Sequence, residues 1–247
     1  MPAIITAAET GKQHERQCRH FEKIIRSDPD LMRLLVRLRT IHLPQWRLVA
    51  GCLYQTVWNV LTGRPRGTGI KDYDVIYFAG DDLSWEAEDA VIRRVAAATT
   101  GCVGPVEVRN QARVHLWFEG HFGSSYSPLS AADEALPRYA SVVRAIGVRL
   151  EADDRLDIAA PFGFDDLFAM VIRPNRVMEN AVSHLRKAKR AQSIWPEVIV
   201  MPWIEETGTA HSGAVELSPP ASSGDIQPAP RRAGRSSEPD PRRRGSR

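Results

Sequence analysis

The chain has 247 residues, of which 43% are hydrophobic and 26% charged, as in a globular protein with one sizeable core. The formal net charge of +3 arises after Gly208, where seven arginines outnumber four acidic residues. The neutral remainder argues against a strongly basic nucleic-acid binder. Because no apolar run is long enough to span a bilayer and residues 1–22 lack the pattern of a signal peptide, we expect a cytoplasmic protein without a membrane partner.

The cysteines are Cys18, Cys52 and Cys102, and no two of them have C-x-x-C spacing. An odd count without a pattern argues against a disulfide framework and against a structural zinc site. We therefore expect reduced, mostly buried thiols.

The first predicted helix with a clear boundary starts at residues 27–30, where a capping side chain precedes a proline. Four leucines then recur at helical spacing and form one apolar face: Leu31, Leu34, Leu35 and Leu38. The pair Leu43-Pro44 is expected to end this helix, because the residue before a proline disfavours helical backbone.

A unit of strand, turn and helix follows. Residues 46–50 are a short strand candidate that Gly51 closes, and residues 53–61 are predicted to be a helix. A loop rich in glycine, residues 63–71, leads to an apolar, β-prone segment at residues 73–78.

The second half of the chain continues this alternation. A helix is predicted at residues 84–98, where acidic residues come first and arginines later, as the helix dipole prefers. The remaining predicted elements are a strand at 106–108, helical stretches around 130–146, a hairpin of 148–150 with 156–158 that turns at Asp153-Asp154, a helix at 177–194 and an extended segment at 198–200. The pattern predicts an α/β (α+β) fold with a small mixed β-sheet flanked by helices.

We divide the chain into a partly helical N-terminal extension at residues 1–26, a globular domain at 27–206 and a tail at 207–247. The tail is rich in Pro, Ser, Gly and Arg, and its few apolar residues cannot offset the entropy of ordering, so we predict that it is disordered. Its arginine clusters either contact acidic partners or RNA or form a solubilising terminus, which is the commoner role of such runs.

Two aspartates, Asp72 and Asp74, flank Tyr73 at the start of the second predicted strand. Alternate residues of a strand point to one side, with Cα atoms roughly 6–7 Å apart, so the two carboxylates lie together. Such a pair is costly unless a cation lies between the carboxylates, and Mg²⁺ binds carboxylate oxygens together with the phosphate oxygens of a substrate. The D-x-D spacing alone is also common in solvated turns.

Gly51 and Cys52 lie about twenty residues upstream of this pair, where the first predicted strand runs into a helix. The backbone N–H groups at such a helix N-terminus can hold a phosphate. Taken alone, Gly51 is better explained as a tight turn between strand and helix.

Together these features resemble the DNA polymerase beta-like nucleotidyltransferase superfamily, in which a glycine and a small residue follow an apolar strand and D-x-D lies on the next one. Two longer strings, N-Q-A-R-V-H at residues 110–115 and A-P-F-G-F-D-D-L-F at residues 160–168, resemble an uncharacterised bacterial family of predicted nucleotidyltransferases. The resemblance covers roughly residues 31–203 and excludes the tail. It implies a nucleotidyltransferase-like domain within residues 27–206.

The resemblance implies that Asp72 and Asp74 bind Mg²⁺ (or Mn²⁺), and that Glu107 is a third metal-binding carboxylate that helps to activate the attacking group. It also implies that Gly51 and Cys52 receive the triphosphate of a nucleoside triphosphate. Cys52 stands where Ser or Gly is usual; it is small enough to fit but lacks a hydroxyl donor to phosphate. The implied reaction moves a nucleoside monophosphate group to an unknown acceptor: a small molecule, RNA or protein. The alternative is a catalytically inactive nucleotide-binding or regulatory module of the same fold.

Asn110 and Arg113 are predicted to contact the bound nucleotide, although capping by Asn110 explains the same pattern. The other candidates also have ordinary explanations: Gln111 and His115 as solvated groups, Arg64 and Arg66 as loop residues, Asp165-Asp166 as a helix cap rather than a metal site, and the basic run His184, Arg186, Lys187, Lys189 and Arg190 as a solvated helix face. An RNA-associated protein that uses Arg113, this basic run and the tail is a third hypothesis, which the neutral charge of the body disfavours.

Overall fold

The computed structural model describes residues 7–203, with side chains from residue 11 onward. The predicted disordered tail at 207–247 and residues 1–6 of the predicted extension lie outside the described residues. The helices are α1 (Ala7–Ser27), α2 (Pro29–Arg39), α3 (Gly51–Leu61), α4 (Trp85–Thr99), α5 (Phe118–Phe122), α6 (Asp165–Phe168) and α7 (Ala181–Ile194). The strands are β1 (Arg47–Val49), β2 (Tyr73–Tyr77), β3 (Val106–Asn110), β4 (Gly147–Leu150), β5 (Leu156–Ala159), β6 (Val171–Ile172) and β7 (Ile199–Val200).

Five strands form a mixed sheet in the order β3-β2-β1-β4-β5. Strands β2 and β3 are parallel, whereas the pairs β1–β2, β1–β4 and β4–β5 are antiparallel. A separate parallel pair joins β6 to β7. The small mixed sheet flanked by helices confirms the predicted α/β (α+β) class, and β2 lies inside the sheet between β1 and β3.

The alternation of side chains along β1 and β2 divides the core between the two faces of the sheet. One face carries Leu48 and Val75 into the main core, where they meet the leucine face of α2 and the buried helix α3. The other face carries Val49 and Ile76 into a smaller cluster that includes Leu136 of the 3-10 helix Ala132–Arg138. Because residues two apart on a strand share a face, Asp74 lies on this second face, next to Ile76.

The N-terminal helix α1 contributes to the main core. Phe21 and Ile25 are fully buried there, and the ring of Phe21 lies 5.2 Å from that of Phe164, centroid to centroid. No helix in the described range is both long and apolar enough to cross a membrane.

Helix α2 begins as predicted, because Asp28 caps it: its Oδ1 accepts from the N–H groups of Asp30 and Leu31 at 3.0 and 3.1 Å. The helix ends at Arg39, before the predicted stop at Leu43-Pro44. The reason is that His42 takes left-handed backbone with φ of 54°, which a continuing helix does not allow.

Other boundaries also differ from the predictions. The region 130–146 contains only short 3-10 helices, Ala132–Arg138 and Val142–Arg144, and Pro137 inside the first of them has no N–H to extend it into an α-helix. Helix α7 starts at Ala181 rather than at residue 177. The hairpin of β4 and β5 is confirmed, with Leu150 paired to Leu156.

The turn between β1 and α3 contains a strained residue. Ala50 has φ of 57° and ψ of −116°, a region that side-chain-bearing residues rarely occupy. Its surroundings hold it there: its N–H donates to the carbonyl of Ile146 at 3.1 Å, and its carbonyl accepts from the N–H of Leu53 at 3.2 Å. The turn therefore sets the direction in which α3 leaves the sheet.

Replacing Ala50 by Gly should leave the free energy of unfolding unchanged or raise it by up to about 1 kcal/mol, because relief of backbone strain offsets the lost methyl group. The matched variant Ala188→Gly, at a buried position inside α7, should lose at least about 1 kcal/mol. Urea unfolding of the two variants measures the difference. Equal losses of unfolding free energy in Ala50→Gly and Ala188→Gly would contradict the inferred backbone strain at Ala50.

Candidate active site

The sheet places two of the three predicted carboxylates, Asp74 and Glu107, on one face. Asp74 lies in β2, with Val49 of β1 opposite it on one side and Glu107 of β3 opposite it on the other. Partners in register point to the same face, so Glu107 and Asp74 emerge side by side. Asp72 immediately precedes β2 and lies two residues before Asp74. Pairing of β2 with β3 thus brings Asp74 next to Glu107, which lies 33 positions later in the sequence.

Ionisation of the Asp74 carboxyl costs free energy in the folded protein. Burial raises the pKa of its carboxyl to about 6, and the negative charge of Asp72 adds to the effect. The positive charges of Lys187, Arg144 and Arg109 act in the opposite direction. The charge of Asp72 disfavours ionisation of Asp74, and a cation between the two carboxylates would offset this repulsion.

The N-terminus of α3 lies beside this acidic pair. Gly51 is the first residue of the helix and comes two positions after Val49, the β1 partner of Asp74. Ala50 is the N-cap, and within the described chain no side chain caps this end. The first N–H groups of α3 thus carry partial positive charge at the site without a capping oxygen.

The Cys52 thiol turns inward from the helix terminus. The side chain is buried, and its Sγ donates to the carbonyl of Val49 at 3.6 Å. Burial raises the pKa of the thiol well above its ordinary value, and the charges of Asp74 and Asp72 raise it further. The thiol is therefore protonated at neutral pH, and only the backbone N–H of Cys52 is oriented by the helix towards a ligand.

Asn110 holds two loops together. Its Oδ1 accepts from the N–H groups of Ala79 and Ala112, both at 3.1 Å, and its Nδ2 donates to the carbonyl of Ala79 at 2.9 Å. It therefore caps the 3-10 helix Gln111–Leu116, as the alternative explanation predicted, and ties the end of β3 to the loop after β2.

Arg113 forms a buried ion pair with Glu88 of α4, and its Nε donates to the carbonyl of Leu83 at 2.9 Å. Glu88 also accepts from the backbone N–H of Asn110 at 2.8 Å. Asn110 and Arg113 thus have partners inside the protein where the sequence suggested contacts with a nucleotide. We assign to them the positioning of β3, on which Glu107 lies.

The remaining candidates are structural. The expectation that Asp165-Asp166 caps a helix is wrong, because Phe164 is the N-cap of α6 and both aspartates lie inside its first turn. Their carboxylates have other partners: Asp165 accepts from Gln13 and Gln17, and Asp166 pairs with Arg173. Arg64 pairs with Glu197.

Sequence reasoning did not identify Arg144 as a site residue and gave Lys187 no role beyond the basic run. Both influence the ionisation of Asp74, although one follows an irregular segment and the other lies on the last helix. Tyr139 also lies within reach of the charge of Asp74. The signal that could have selected Lys187 is its position next to Ala188 and three residues from His184, both on the buried face of α7.

The raised pKa of Asp74 makes stability depend on pH. Because the folded protein holds this proton more tightly than the unfolded chain, stability falls as pH rises from about 4 through about 6. Without divalent metal, Asp74→Asn should therefore raise the free energy of unfolding by about 2 kcal/mol at pH 7.5 and leave it unchanged at pH 4. Urea unfolding in a chelating buffer measures both values. The exposed-loop variant Asp81→Asn is the control, and an equal gain there would contradict the prediction.

Arg113→Met should destabilise the protein by about 3 kcal/mol, because it leaves the buried carboxylate of Glu88 without its partner. Arg93→Met, which removes an exposed ion pair with Asp89 on the same helix as Glu88, should cost about 0.5 kcal/mol or less. Denaturant midpoints compare the two. A stable Arg113→Met protein with weakened nucleotide binding would instead support direct contact between Arg113 and the nucleotide.

A comparison with solved structures shows a related fold. An NMR structure described as revealing a CCA-adding enzyme head domain matches with a TM-score of 0.59 and 22% identity, over 74% of this chain and 96% of the other. A structure of a tRNA-processing enzyme complex matches with a TM-score of 0.41 and 15% identity, over 68% of this chain and 43% of the other, which is too low to establish a common fold. No curated protein matches in sequence.

The family model described as "Nucleotidyltransferase" matches residues 36–200, which include β1, α3, β2 and β3. The match covers about two thirds of the 247 residues and contains all three carboxylates of the site. The chain therefore belongs to the nucleotidyltransferase family and is a nucleotidyltransferase.

Proposed function

We propose that the chain is a metal-dependent enzyme that transfers a nucleoside monophosphate group from a nucleoside triphosphate to an acceptor hydroxyl. The observation that carries this proposal is the position of three acidic residues near the start of α3: Asp74 and Glu107 share one face of the sheet, and Asp72 immediately precedes β2. In this proposal the acidic residues bind a cation, and the N-terminus of α3 binds a phosphate.

The residues fit a divalent cation. In the described residues no three side chains of the metal-binding types form a ready-made cluster. Mg²⁺ does not need one, because it is usually bound by one or two carboxylates together with substrate phosphate oxygens and water. Asp72 and Asp74 supply that pair, and the repulsion that raises the pKa of Asp74 is what a bound cation removes. Glu107, on the neighbouring strand, is the third oxygen ligand in this proposal.

Mg²⁺ or Mn²⁺ supplies charge stabilisation for the oxygens of the phosphate that reacts. The chain's own groups bind and orient the reactants. The N–H groups of Gly51 and Cys52 receive phosphate oxygens at the start of α3. Since the Cys52 thiol turns inward, the missing hydroxyl of the superfamily pattern is replaced here by backbone donors alone.

The chemistry is an in-line displacement. The acceptor oxygen forms a bond to the α-phosphorus, and the bond from that phosphorus to the bridging oxygen of the β-phosphate breaks. Pyrophosphate leaves with the electron pair. The acceptor's hydroxyl proton passes to a Glu107 carboxylate oxygen and from there to solvent, so Glu107 acts as the general base.

Incubation with nucleoside triphosphates labelled at the α-phosphate tests the proposal, with Mg²⁺ or Mn²⁺ and with pools of small metabolites, RNA and protein as acceptors. RNA is included because the structural neighbour is described as the head domain of a CCA-adding enzyme. Asp72→Asn and Asp74→Asn should lower label transfer by about 100-fold or more, because the cation that stabilises the reacting oxygens is lost. Glu107→Gln should also lower it, by about 10²-fold.

Asp81→Asn is the matched control and should keep the wild-type rate. Loss of transfer in Asp74→Asn cannot be attributed to unfolding if the same protein is more stable at pH 7.5, as expected above. Wild-type transfer by Asp74→Asn would overturn the proposal. Binding of a nucleoside triphosphate without transfer to any pool would favour the inactive module.

A further inference from the structure

Two basic residues from distant parts of the chain lie near the acidic pair. Arg144 ends the 3-10 helix Val142–Arg144, and Lys187 lies on α7. The charges of both lower the pKa of Asp74. The pKa of Lys187 is lowered to about 7, chiefly by burial and then by the charge of Arg144, while the charge of Asp74 acts in the opposite direction. Two cations are therefore held close together, although their repulsion is unfavourable.

The guanidinium of Arg144 has unused donors. Its Nη2 donates to the Tyr54 hydroxyl at 3.5 Å, a long contact, and its Cζ lies 5.4 Å from the centre of the Tyr54 ring. Its Nε and Nη1 are buried and have no hydrogen-bond partner in the part of the chain that the structure describes. Leaving buried N–H groups unpaired costs more than a typical hydrogen bond contributes, so these two donors favour an oxygen atom, of a water or of a ligand, beside them.

A chain of contacts connects Arg144 to the start of α3. The Tyr54 hydroxyl that Arg144 contacts also accepts from Nε2 of Gln55 at 3.0 Å. That nitrogen lies 3.4 Å from the point where a Cβ on Gly51 would stand. The Arg144 guanidinium is therefore connected to the N-terminus of α3 through the buried polar groups of Tyr54 and Gln55.

The same residues border a crevice. Tyr54, Ser141, Arg144 and Lys187 line its wall, next to Ile172 and Ala188. The wall presents cationic donors and hydroxyl groups but no carboxylate. An anion with several oxygens suits it, because the planar fork of an arginine binds two oxygens of a phosphate at once.

We propose that Arg144 and Lys187 bind the β- and γ-phosphates of the donor nucleotide and hold the pyrophosphate after it leaves. The inference rests on the proposed function. The acidic residues would hold a cation at the reacting phosphate, and Arg144 and Lys187, which border the crevice, would bind oxygens of the two phosphates beyond it. Arg144 and Lys187 are binding residues in this scheme and act on no proton.

Titration of sodium pyrophosphate into the full-length protein, followed by calorimetry in a metal-chelating buffer, tests the site without nucleotide or acceptor. Arg144→Met should weaken pyrophosphate binding by about tenfold or more, and Lys187→Met by a similar factor. Arg144→Lys keeps the charge but loses the fork, so its affinity should lie between those of the wild type and Arg144→Met. Arg93→Met, which removes an exposed arginine of α4, should bind like the wild type.

Unfolding does not complicate this test. Because the one hydrogen bond that the Arg144 side chain donates within residues 11–203 is the long contact with Tyr54, and its Nε and Nη1 have no partner there, Arg144→Met should shift the denaturant midpoint only slightly. A large loss of stability in this variant would show that the guanidinium is a structural group, and would overturn the inference.

The outcomes separate this site from the proposed reaction. Pyrophosphate binding that depends on Arg144 supports the site even if label transfer fails, because the titration involves no transfer. A second outcome is that Arg144→Met transfers label with an unchanged KM for the nucleotide and binds pyrophosphate with unchanged affinity. That outcome overturns the proposed phosphate site but does not contradict the proposed function. An equal loss of orthophosphate affinity in Arg144→Met would also overturn it, since the crevice would then take a single phosphate.

Discussion

The position of β2 between β1 and β3 is the constraint on which the rest of the site depends. Its antiparallel pairing with β1 places Val49, and hence the turn into α3, opposite Asp74, while its parallel pairing with β3 places Glu107 on the other side. A shift of either register by one residue would turn these side chains to opposite faces of the sheet. The apolar residues that flank Asp74, Tyr73 and Val75, are buried in the main core and oppose such a shift.

Charge compensation explains how an acidic pair is tolerated on a half-buried surface. Asp72 and Asp74 repel each other, and the cationic side chains that face them come from β3, from the segment before β4 and from α7. These cations lower the free-energy cost of ionising Asp74 but do not remove it, because the pKa of Asp74 is still raised to about 6. Under the proposed function, a divalent cation would reduce the repulsion between the two carboxylates, and a polyanion would reduce the repulsion between the cationic side chains.

The features that follow from local patterns were predictable from the sequence. The alternation of apolar residues around Asp74 located β2 and paired the aspartates, and the glycine after an apolar strand located the start of α3. Capping by Asn110 was one of two predicted explanations, but the sequence could not decide between them or identify the partner of Arg113. A polar string does not reveal whether its partners are ligands or protein groups such as the loop at Ala79 and the carboxylate of Glu88. Arg144 was not predicted as a site residue, because it ends a short 3-10 helix without a sequence pattern and only tertiary contacts bring it to the site.

The order of the sheet has a consequence for how the molecule acquires its structure. Strand β1 pairs with β4, about one hundred residues later, and Ala50 is held by the carbonyl of Ile146. Such distant contacts form late, and proteins that depend on them fold slowly. During synthesis, the acidic residues emerge from the ribosome long before Lys187 on α7. The charge of Lys187 therefore reaches Asp72 and Asp74 only when α7 packs against the rest of the domain.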